Sequence, residues 1–323
     1  MHRRTLLPGL AALPLLPRAA AAQGWNPDRP LRMLVGFAAG GSTDTTARIV
    51  AQAITPALGQ QVLVENRTGA GGNSGDRGGG PCRAGRLHAG HGLDGHPCTV
   101  NQSLYRSLPF HVARDFSAVS LVALSHSLLV VHPSVQARSV TELIALARTK
   151  PGGLNAGTGG LGSSQHFAAV LFEHETGVRF TQVHYRGGAP AMADLVSGRV
   201  DLIFAPVVES IQQVRAGQVR ALGITRKERA PQLAEVPAIT EQVPGFVFTS
   251  WLGVFAPAGT PAPAVARLSE AIQAAMRVPA MRDRMAELGY DAVGSTAEEF
   301  ADFQRSEITR TAELVRISGA TVE

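Results

Sequence analysis

The sequence has few aromatic residues and, beyond its N-terminal end, little excess charge. Phe, Trp and Tyr make up 5% of the 323 residues. The formal net charge is +5, but residues 1–22 hold three of the arginines, so the remainder carries 27 basic and 25 acidic side chains, a net of +2. Scattered cations with few aromatic rings to stack on bases argue against nucleic acid as a partner.

Long apolar runs are also missing from the body of the chain. Beyond the first 22 residues, no apolar stretch approaches the roughly 20 residues that span a bilayer. We therefore expect the mature protein to be soluble. The chain also has no internal repeat and no low-complexity linker.

Several signatures of enzymes are missing or incomplete. The chain has no G-x-x-x-x-G-K-[ST] phosphate loop and no G-x-S-x-G nucleophile elbow. No pair of carboxylates on one element is arranged for acid–base catalysis. Residues Gly157 to Gly162 do match G-x-G-x-x-G, which keeps a dinucleotide-dependent enzyme as an alternative, but the following strand, ending at Phe180 to Tyr185, lacks the acidic residue that binds ribose. We predict that the chain is not an enzyme and that it has no cofactor.

The N-terminus has the pattern of a secretory signal peptide. Met1 to Arg4 is basic, an apolar run extends from Leu6 to Leu16, and small residues end at Ala22. A short apolar run between a basic start and an A-x-A end is typical of a leader that is removed after export. We expect cleavage after Ala22. The Arg3-Arg4 pair leaves the general secretory route and the twin-arginine route both open.

Apolar runs typical of strands alternate with amphipathic helical patterns. One run, Leu31 to Phe37, precedes a helix that reaches about Leu58, and another, Leu128 to Val131, precedes a helix over Thr141 to Arg148. This alternation predicts an α/β protein with largely parallel sheets. About 300 mature residues exceed the usual size of one hydrophobic core, so we expect two domains. The final third, from Pro261, is predicted to be mainly helical.

Two glycine-rich loops each follow a predicted strand and precede a predicted helix. Glycines let the backbone approach a ligand closely, and the first N–H groups of a helix favour an anion. Together the loops predict a cleft that closes on an anion from both sides. The candidate residues are Gly40, Gly41, Ser42, Thr43 and Asp44 in the first loop, and Gly162, Ser163, Ser164 and His166 in the second.

Each loop also has a structural interpretation. In the first, Asp44 would serve the backbone of an ordinary strand-to-helix turn, and this is as well supported as an anion site. In the second, Ser163 and His166 are three residues apart, which favours a helix cap or a ligand contact over half of a catalytic triad. A third polar turn is Tyr185-Arg186-Gly187-Gly188, where Arg186 would counter a carboxylate or face solvent.

Residues 77–99 fit no element, because they show no periodicity and hold both cysteines of the chain. Their spacing matches no zinc pattern, and the intervening Gly and Pro give no rigid platform, so no metal site is predicted. The residues that superficially resemble a metal cluster are Cys82, His88, His91, His96 and Cys98.

A slip of reading frame explains this segment better. Joining the last two bases of each codon to the first base of the next permits Glu-Ala-Val-Ala-Arg-Ala, one undetermined residue, then Pro-Asp-Gly-Tyr-Thr-Leu, and later Met-Gly-Ser-Thr-Gly-Thr-His-Ala. This alternative amino-acid sequence has the pattern of a helix, a turn and a buried strand. As printed, the first domain is expected to lose this strand. Each lost buried side chain would cost about 2 to 5 kcal/mol against a total of roughly 5 to 15, so the chain would fold poorly or bind nothing.

Six short motifs are spread along the chain: Gly40 to Asp44, Val64 to Asn73, Asn101 to Tyr105, Asp115-Phe116, Tyr185 to Gly187 and Phe255 to Pro261. Together they resemble the Bug receptors, the substrate-binding proteins of tripartite tricarboxylate transporters. The likeness runs from about Pro30 to the C-terminus, and the alternative reading Pro-Asp-Gly-Tyr-Thr-Leu also resembles this family. One departure is Ala205-Pro206, where family members often have an acidic or polar residue.

The resemblance implies a type II periplasmic binding protein with a cleft between two α/β domains joined by two crossovers. One domain would comprise residues 23–123 and 251–323, and the other residues 124–250. The ligand would be a small carboxylate such as a dicarboxylate, citrate, an acidic amino acid or an aromatic acid. It would meet the Gly40 to Asp44 and Gly162 to His166 loops, with Tyr185 and Gly187 nearby. The protein would be a periplasmic monomer that delivers its ligand to membrane subunits, unless it is a frame-damaged member that no longer binds.

Overall fold

A computed structural model describes residues 25–36, 39–67, 86–91, 99–106, 112–150 and 152–321, with the backbone path alone for 86–91 and 112–113. The predicted signal peptide lies outside these ranges, as do Cys82, His96 and Cys98. The strands of the described residues are β1 Leu31–Val35, β2 Val62–Asn66, β3 Arg86–His91, β4 Phe116–Ser125, β5 Ser127–Val131, β6 Leu154–Thr158, β7 Phe180–His184, β8 Leu202–Pro206, β9 Arg220–Ile224, β10 Ser250–Pro257 and β11 Tyr290–Ala292.

The helices follow the strands in the alternation that the sequence predicts. No helix in the described ranges is both long enough and apolar enough to cross a membrane. The helices are α1 Ser42–Leu58, α2 Asn101–Leu104, α3 Val112–Asp115, α4 Val140–Thr149, α5 Ser164–Thr176, α6 Gly188–Val196, α7 Val207–Arg215, α8 Ala262–Arg277, α9 Pro279–Glu287 and α10 Ala297–Ser318.

The strands form two sheets. The first has six strands in the order β11-β4-β10-β3-β1-β2, and the second has five in the order β7-β6-β8-β5-β9. We call the first sheet with α1, α8 and α9 lobe 1, and the second sheet with α4, α5, α6 and α7 lobe 2. The α/β class is confirmed.

The prediction of largely parallel sheets was wrong, because both sheets are mixed. β1 pairs in parallel with β2 and β3, and β6 with β7 and β8. The pairs of β10 with β3 and β4, of β11 with β4, and of β5 with β8 and β9 are antiparallel. The chain crosses between the sheets twice, from β4 to β5 through His126 and from β9 to β10. In each sheet the strand on which the chain enters from the other lobe, β5 or β10, is antiparallel to both of its neighbours.

Two helices, α4 and α10, begin with side-chain caps. The Ser139 hydroxyl accepts the N–H of Glu142 at 3.1 Å at the start of α4. Glu142 reaches back one residue further than in a capping box, to the N–H of Arg138. Thr296 and Glu299 form the reciprocal pair of bonds at the start of α10.

Helix α10 ties the lobes together. Near its start, the fully buried Phe300 packs against Trp251 of β10, with ring centroids 5.5 Å apart. Near its end, Leu314 and Val315 belong to the apolar cluster that includes Phe172 of lobe 2. The helix therefore contributes to the cores of both lobes.

We predicted that the first domain would lose a buried strand, and for the backbone this prediction was wrong. β3 lies in the first sheet with β1 on one side and β10 on the other. The sequence of β3, Arg86–His91, nevertheless contains three basic side chains. A strand that is covered on both faces is ordinarily apolar throughout. The neighbouring strands β1 and β10 provide the hydrogen-bonding edges between which the backbone of β3 lies.

Candidate functional site

The first loop turns between β1 and α1 at Gly40, whose φ of +85° lies in the left-handed region that favours glycine. Gly41 is the N-cap of α1 and provides no side-chain cap. The first intrahelical bond runs from the N–H of Thr45 to the carbonyl of Gly41 at 3.0 Å. The N–H groups before Thr45 therefore have no carbonyl acceptor within the helix. Ser42 and Thr43 in this first turn are buried.

Asp44 holds this loop in place. Its carboxylate is 3% exposed and accepts hydrogen bonds from the N–H of Gly40 at 2.9 Å, from Asn66 Nδ2 at 2.9 Å and from Arg48 Nε at 3.0 Å. Burial alone would raise the pKa of Asp44, but the bonds from Arg48, Gly40 and Asn66 outweigh it and hold the pKa below its usual value. The interpretation that Asp44 serves the backbone is thus confirmed. Asp44 fixes the conformation of the loop through its hydrogen bond with Gly40.

The second loop is built around Ser163 and His166 at the start of α5. The Ser163 hydroxyl donates to the carbonyl of Gly160 at 2.7 Å and accepts the N–H of His166 at 3.2 Å, as an N-cap. His166 Nδ1 accepts the N–H of Gly162 at 3.1 Å. The cap interpretation of this pair is confirmed. Ser164 is fully buried at the first helical position.

His166 is a neutral side chain in this setting. It is 4% exposed, and burial, with the nearby His184 as a second cause, lowers its pKa to about 4. The rings of His166 and His184 lie edge to face with centroids 5.3 Å apart. His184 Nδ1 in turn lies 2.7 Å from the hydroxyl of Thr158 at the end of β6. The pair therefore buttresses the loop and adds no positive charge at neutral pH.

The third turn is joined to the second loop through its backbone. The N–H of Gly187 donates to the carbonyl of Gly159 at 3.0 Å, and the N–H of Tyr185 donates to that of Thr158 at 3.0 Å. The Tyr185 hydroxyl donates to Asp194 at 2.8 Å, and burial together with this carboxylate raises its pKa to about 12. The side chain of Arg186 is exposed, as the solvent-facing interpretation predicted.

The sequence did not single out three side chains that shape the two loops. Asn66 and Arg48 hold Asp44, and Glu209 of α7 binds Gln165 of α5 at 3.3 Å. Asn66 lies within one of the motifs quoted above, so a signal for it existed. Glu209 is 44 residues from Gln165 and has no local signature.

Ala205 and Pro206, where the family often has polar residues, are buried in β8.

Metal chemistry finds no support in the described residues, where no three His, Cys, Asp or Glu side chains come close enough to hold an ion. His88 and His91 of the suspected cluster lie in β3, where the backbone alone is described.

Residues 46–319 match the model of the family described as the tripartite tricarboxylate transporter family receptor. This chain belongs to that family. The family is one of transporter receptors, so the prediction that the chain is not an enzyme is confirmed, and a dinucleotide-dependent enzyme is not favoured. The receptor is 33% identical over 298 residues to the protein BugT of Bordetella pertussis, covering 92% of this chain and 91% of BugT.

Solved structures agree with this assignment. The structure described as R. palustris Rpa4515 with adipate has a TM-score of 0.86 and 32% identity, and the match covers 92% of this receptor and 99% of that chain. MatC of Rhodopseudomonas palustris with bound malate has a TM-score of 0.80 and 30% identity, covering 90% and 99%. The periplasmic binding protein BugD has a TM-score of 0.82 and 29% identity, covering 92% and 100%.

Proposed function

We propose that this receptor captures a small carboxylate between its two lobes and delivers it to the membrane subunits of a tripartite tricarboxylate transporter. The observation that carries the proposal is a pair of glycine-rich helix starts, one in each lobe, each fixed by a buried side chain of its own loop. Asp44 fixes the first through Gly40, and His166 fixes the second through Gly162. Helix N-termini with free N–H groups favour carboxylates.

The solved relatives with adipate and malate support a dicarboxylate over the other acids. Leu161, between Gly160 and Gly162, is 38% exposed. An apolar side chain at the second loop would contact the carbon chain of a ligand whose carboxylate meets the helix start. This favours adipate, with its longer methylene chain, over malate.

The same proposal includes the organisation of the protein. Residues 23–123 and 251–323 would form one domain and residues 124–250 the other, with cleavage after Ala22 releasing a periplasmic monomer. The mass of the secreted protein and its sedimentation coefficient test the cleavage and the monomer. The alternative is a frame-damaged member that no longer binds, and the family match does not favour it.

Thermal unfolding of the chain from Gln23 onward, with and without acids, tests the function. The panel contains adipate, malate, citrate, glutamate and benzoate. A ligand at about 100 times its dissociation constant adds roughly 2.7 kcal/mol, which raises the midpoint by several degrees. Adipamide keeps the carbon chain of adipate without its charges and should have no effect. A cooperative transition that no acid shifts would contradict the proposal, and the absence of a cooperative transition would indicate the damaged alternative.

A further inference from the structure

Glu209 lies over the second loop although it belongs to a different helix. Its Oε2 atom accepts a hydrogen bond from Gln165 Nε2 at 3.3 Å. Gln165 is 4% exposed and stands in the first turn of α5, beside the cap formed by Ser163. The pair thus connects the first turn of α7 to the start of α5 in lobe 2.

Two loop glycines make room for this pair. A β-carbon on Gly159 would overlap Gln165 Oε1, and one on Gly188 would overlap Glu209 Oε2 and lie 2.8 Å from Gln165 Nε2. Since real β-carbons do not come so close to other atoms, an alanine at either position would displace the end of the Gln165 or Glu209 side chain. The two glycines thus leave the space that the Gln165–Glu209 pair occupies.

The same turn of α7 contacts lobe 1. The N–H of Val207 donates to the carbonyl of His126, the residue that joins β4 to β5, at 3.0 Å. A β-carbon on Gly289, just before β11, would overlap the Val207 side chain. Val208 packs against the apolar cluster of lobe 1. Three consecutive residues thus link different parts of the protein. Val207 contacts the crossover at His126, Val208 contacts lobe 1, and Glu209 contacts Gln165 beside the second loop.

Polar side-chain contacts hold the two lobes together near Val207. His126 Nε2 lies 3.0 Å from Asp291 Oδ2 on β11, and Arg226, which follows β9, lies 3.3 Å from the same oxygen. In addition, Gln232 Nε2 donates to the carbonyl of Ala286 in α9 at 2.9 Å. Any rotation of one lobe against the other must therefore displace the start of α7 or break these contacts.

We infer that the first turn of α7 couples the second loop to the joint between the lobes, with Glu209 as the positioning residue that holds Gln165 over the loop. The consequence for ligand capture rests on the proposed function, whereas the coupling itself does not. Movement at the joint shifts Val207, and the rigid helical turn transmits that shift through Glu209 to the loop.

Amide hydrogen exchange on the ligand-free, full-length protein tests the positioning role. The Glu209→Ala variant is expected to speed exchange of the N–H groups in residues 157–167 about tenfold, because Gln165 loses its partner. Glu209→Gln keeps an acceptor for Gln165 and should stay near the wild-type rate. Glu241→Ala, which removes the partner of Arg229 and the acceptor of the Ala238 N–H elsewhere in the same lobe, is the control. Unchanged exchange in Glu209→Ala, or equal acceleration in Glu241→Ala, would overturn the inference.

The coupling to lobe 1 needs a perturbation made far from the loop. Gly289→Ala pushes against Val207, and we expect it to speed exchange in residues 157–167 as well as at its own position. Gly259→Ala is its matched control, since Gly259 also has a left-handed φ, +83°, but open space around it. Val207→Ala perturbs the same contact without backbone strain, with the buried Val219→Ala as its control. Effects confined to residues 286–291 would refute the coupling.

Ligand titrations separate this inference from the proposed function. Adipate and malate are titrated into the wild type and Glu209→Ala by calorimetry. If neither acid binds the wild type, the proposed function fails while the exchange data still decide the coupling. If an acid binds, Glu209→Ala is expected to weaken it about tenfold or more and Glu209→Gln less than threefold. Equal affinities of the wild type and Glu209→Ala would mean that the loop's position does not matter for binding.

Discussion

The Nδ1 atom of His166 lies 3.1 Å from the backbone nitrogen of Gly162 and accepts its hydrogen bond. An imidazole that accepts at Nδ1 is neutral and holds its proton on Nε2. Protonation of Nδ1 would place two donors face to face inside a buried loop. The shape of the second loop therefore depends on the neutral state of this one ring.

The first prediction is a loss of stability in acid that depends on His166. Burial lowers its folded-state pKa to about 4, against about 6.5 in the unfolded chain. The unfolded state therefore binds the proton first, so this contribution is fully present above pH 6.5 and is lost as the pH falls towards 4. The whole effect is about 3 kcal/mol.

Urea unfolding between pH 7.5 and 4.5 measures this contribution. His166→Asn keeps an acceptor near Gly162 and does not titrate, so its stability should fall less steeply in acid. His174→Asn, an exposed change on the same helix, should keep the wild-type slope. Parallel curves for the wild type and His166→Asn would show that another group dominates.

Ser163 and Ser139 allow a matched test of the second loop. Each caps a helix of lobe 2 with the same bond to the N–H three residues on. Alanine at either position is expected to lower the free energy of unfolding by about 1 kcal/mol. Ser163→Ala alone should also weaken carboxylate binding, because it loosens the start of α5. Equal affinities of the two variants by calorimetry would place the ligand away from this loop.

Asp44 tests the first loop. In Asp44→Ala the N–H of Gly40 and the amide of Asn66 lose their acceptor, and we expect ligand binding to weaken tenfold or more and the free energy of unfolding to fall by about 2 kcal/mol. Asp302→Ala, which removes an exposed ion pair with Arg305 on α10, should change neither quantity measurably. Unchanged affinity in a folded Asp44→Ala protein would move the site away from this loop.

Leu161 tests ligand preference. Replacing its exposed side chain with Asn removes apolar surface without changing charge. We expect Leu161→Asn to weaken the binding of adipate more than the binding of malate. Adipate has the longer methylene chain, and each buried methylene contributes about 0.8 kcal/mol. Leu63→Asn, at a similarly exposed leucine on β2, is the control. The ratio of the two dissociation constants is the measurement, and a ratio equal to that of the wild type would show that Leu161 does not contact the ligand.

The nucleotide sequence tests the frame slip. We expect two compensating insertions or deletions near codons 77 and 99. The alternative reading places Tyr-Thr-Leu at residues 87–89, inside β3, where apolar residues suit a strand between two others. A protein carrying the alternative reading should unfold at a higher urea concentration than the printed one. An intact reading frame, or equal stability of the two proteins, would remove this explanation.

Local features were predictable from the sequence because their causes are local. The caps at Ser139 and Thr296 lie within three residues of their partners, and α1 ends beside Gly59 in the left-handed region. Strand directions were not predictable, since they follow from where the chain re-enters a sheet. In the candidate sites, the loop glycines were visible in sequence. The contacts of Glu209 with Gln165 and of Asn66 with Asp44 join distant segments, so only the fold brings them together.

The position of β10 has a consequence for the order in which the protein folds. This strand fills the gap between β3 and β4, yet it is synthesised more than a hundred residues after them. Lobe 2 has its five strands in one continuous stretch, whereas lobe 1 remains an incomplete sheet with an exposed edge until β10 arrives. Closing such a long loop is slow. A nascent chain of this receptor therefore stays without its finished first sheet until almost all of its length has been made.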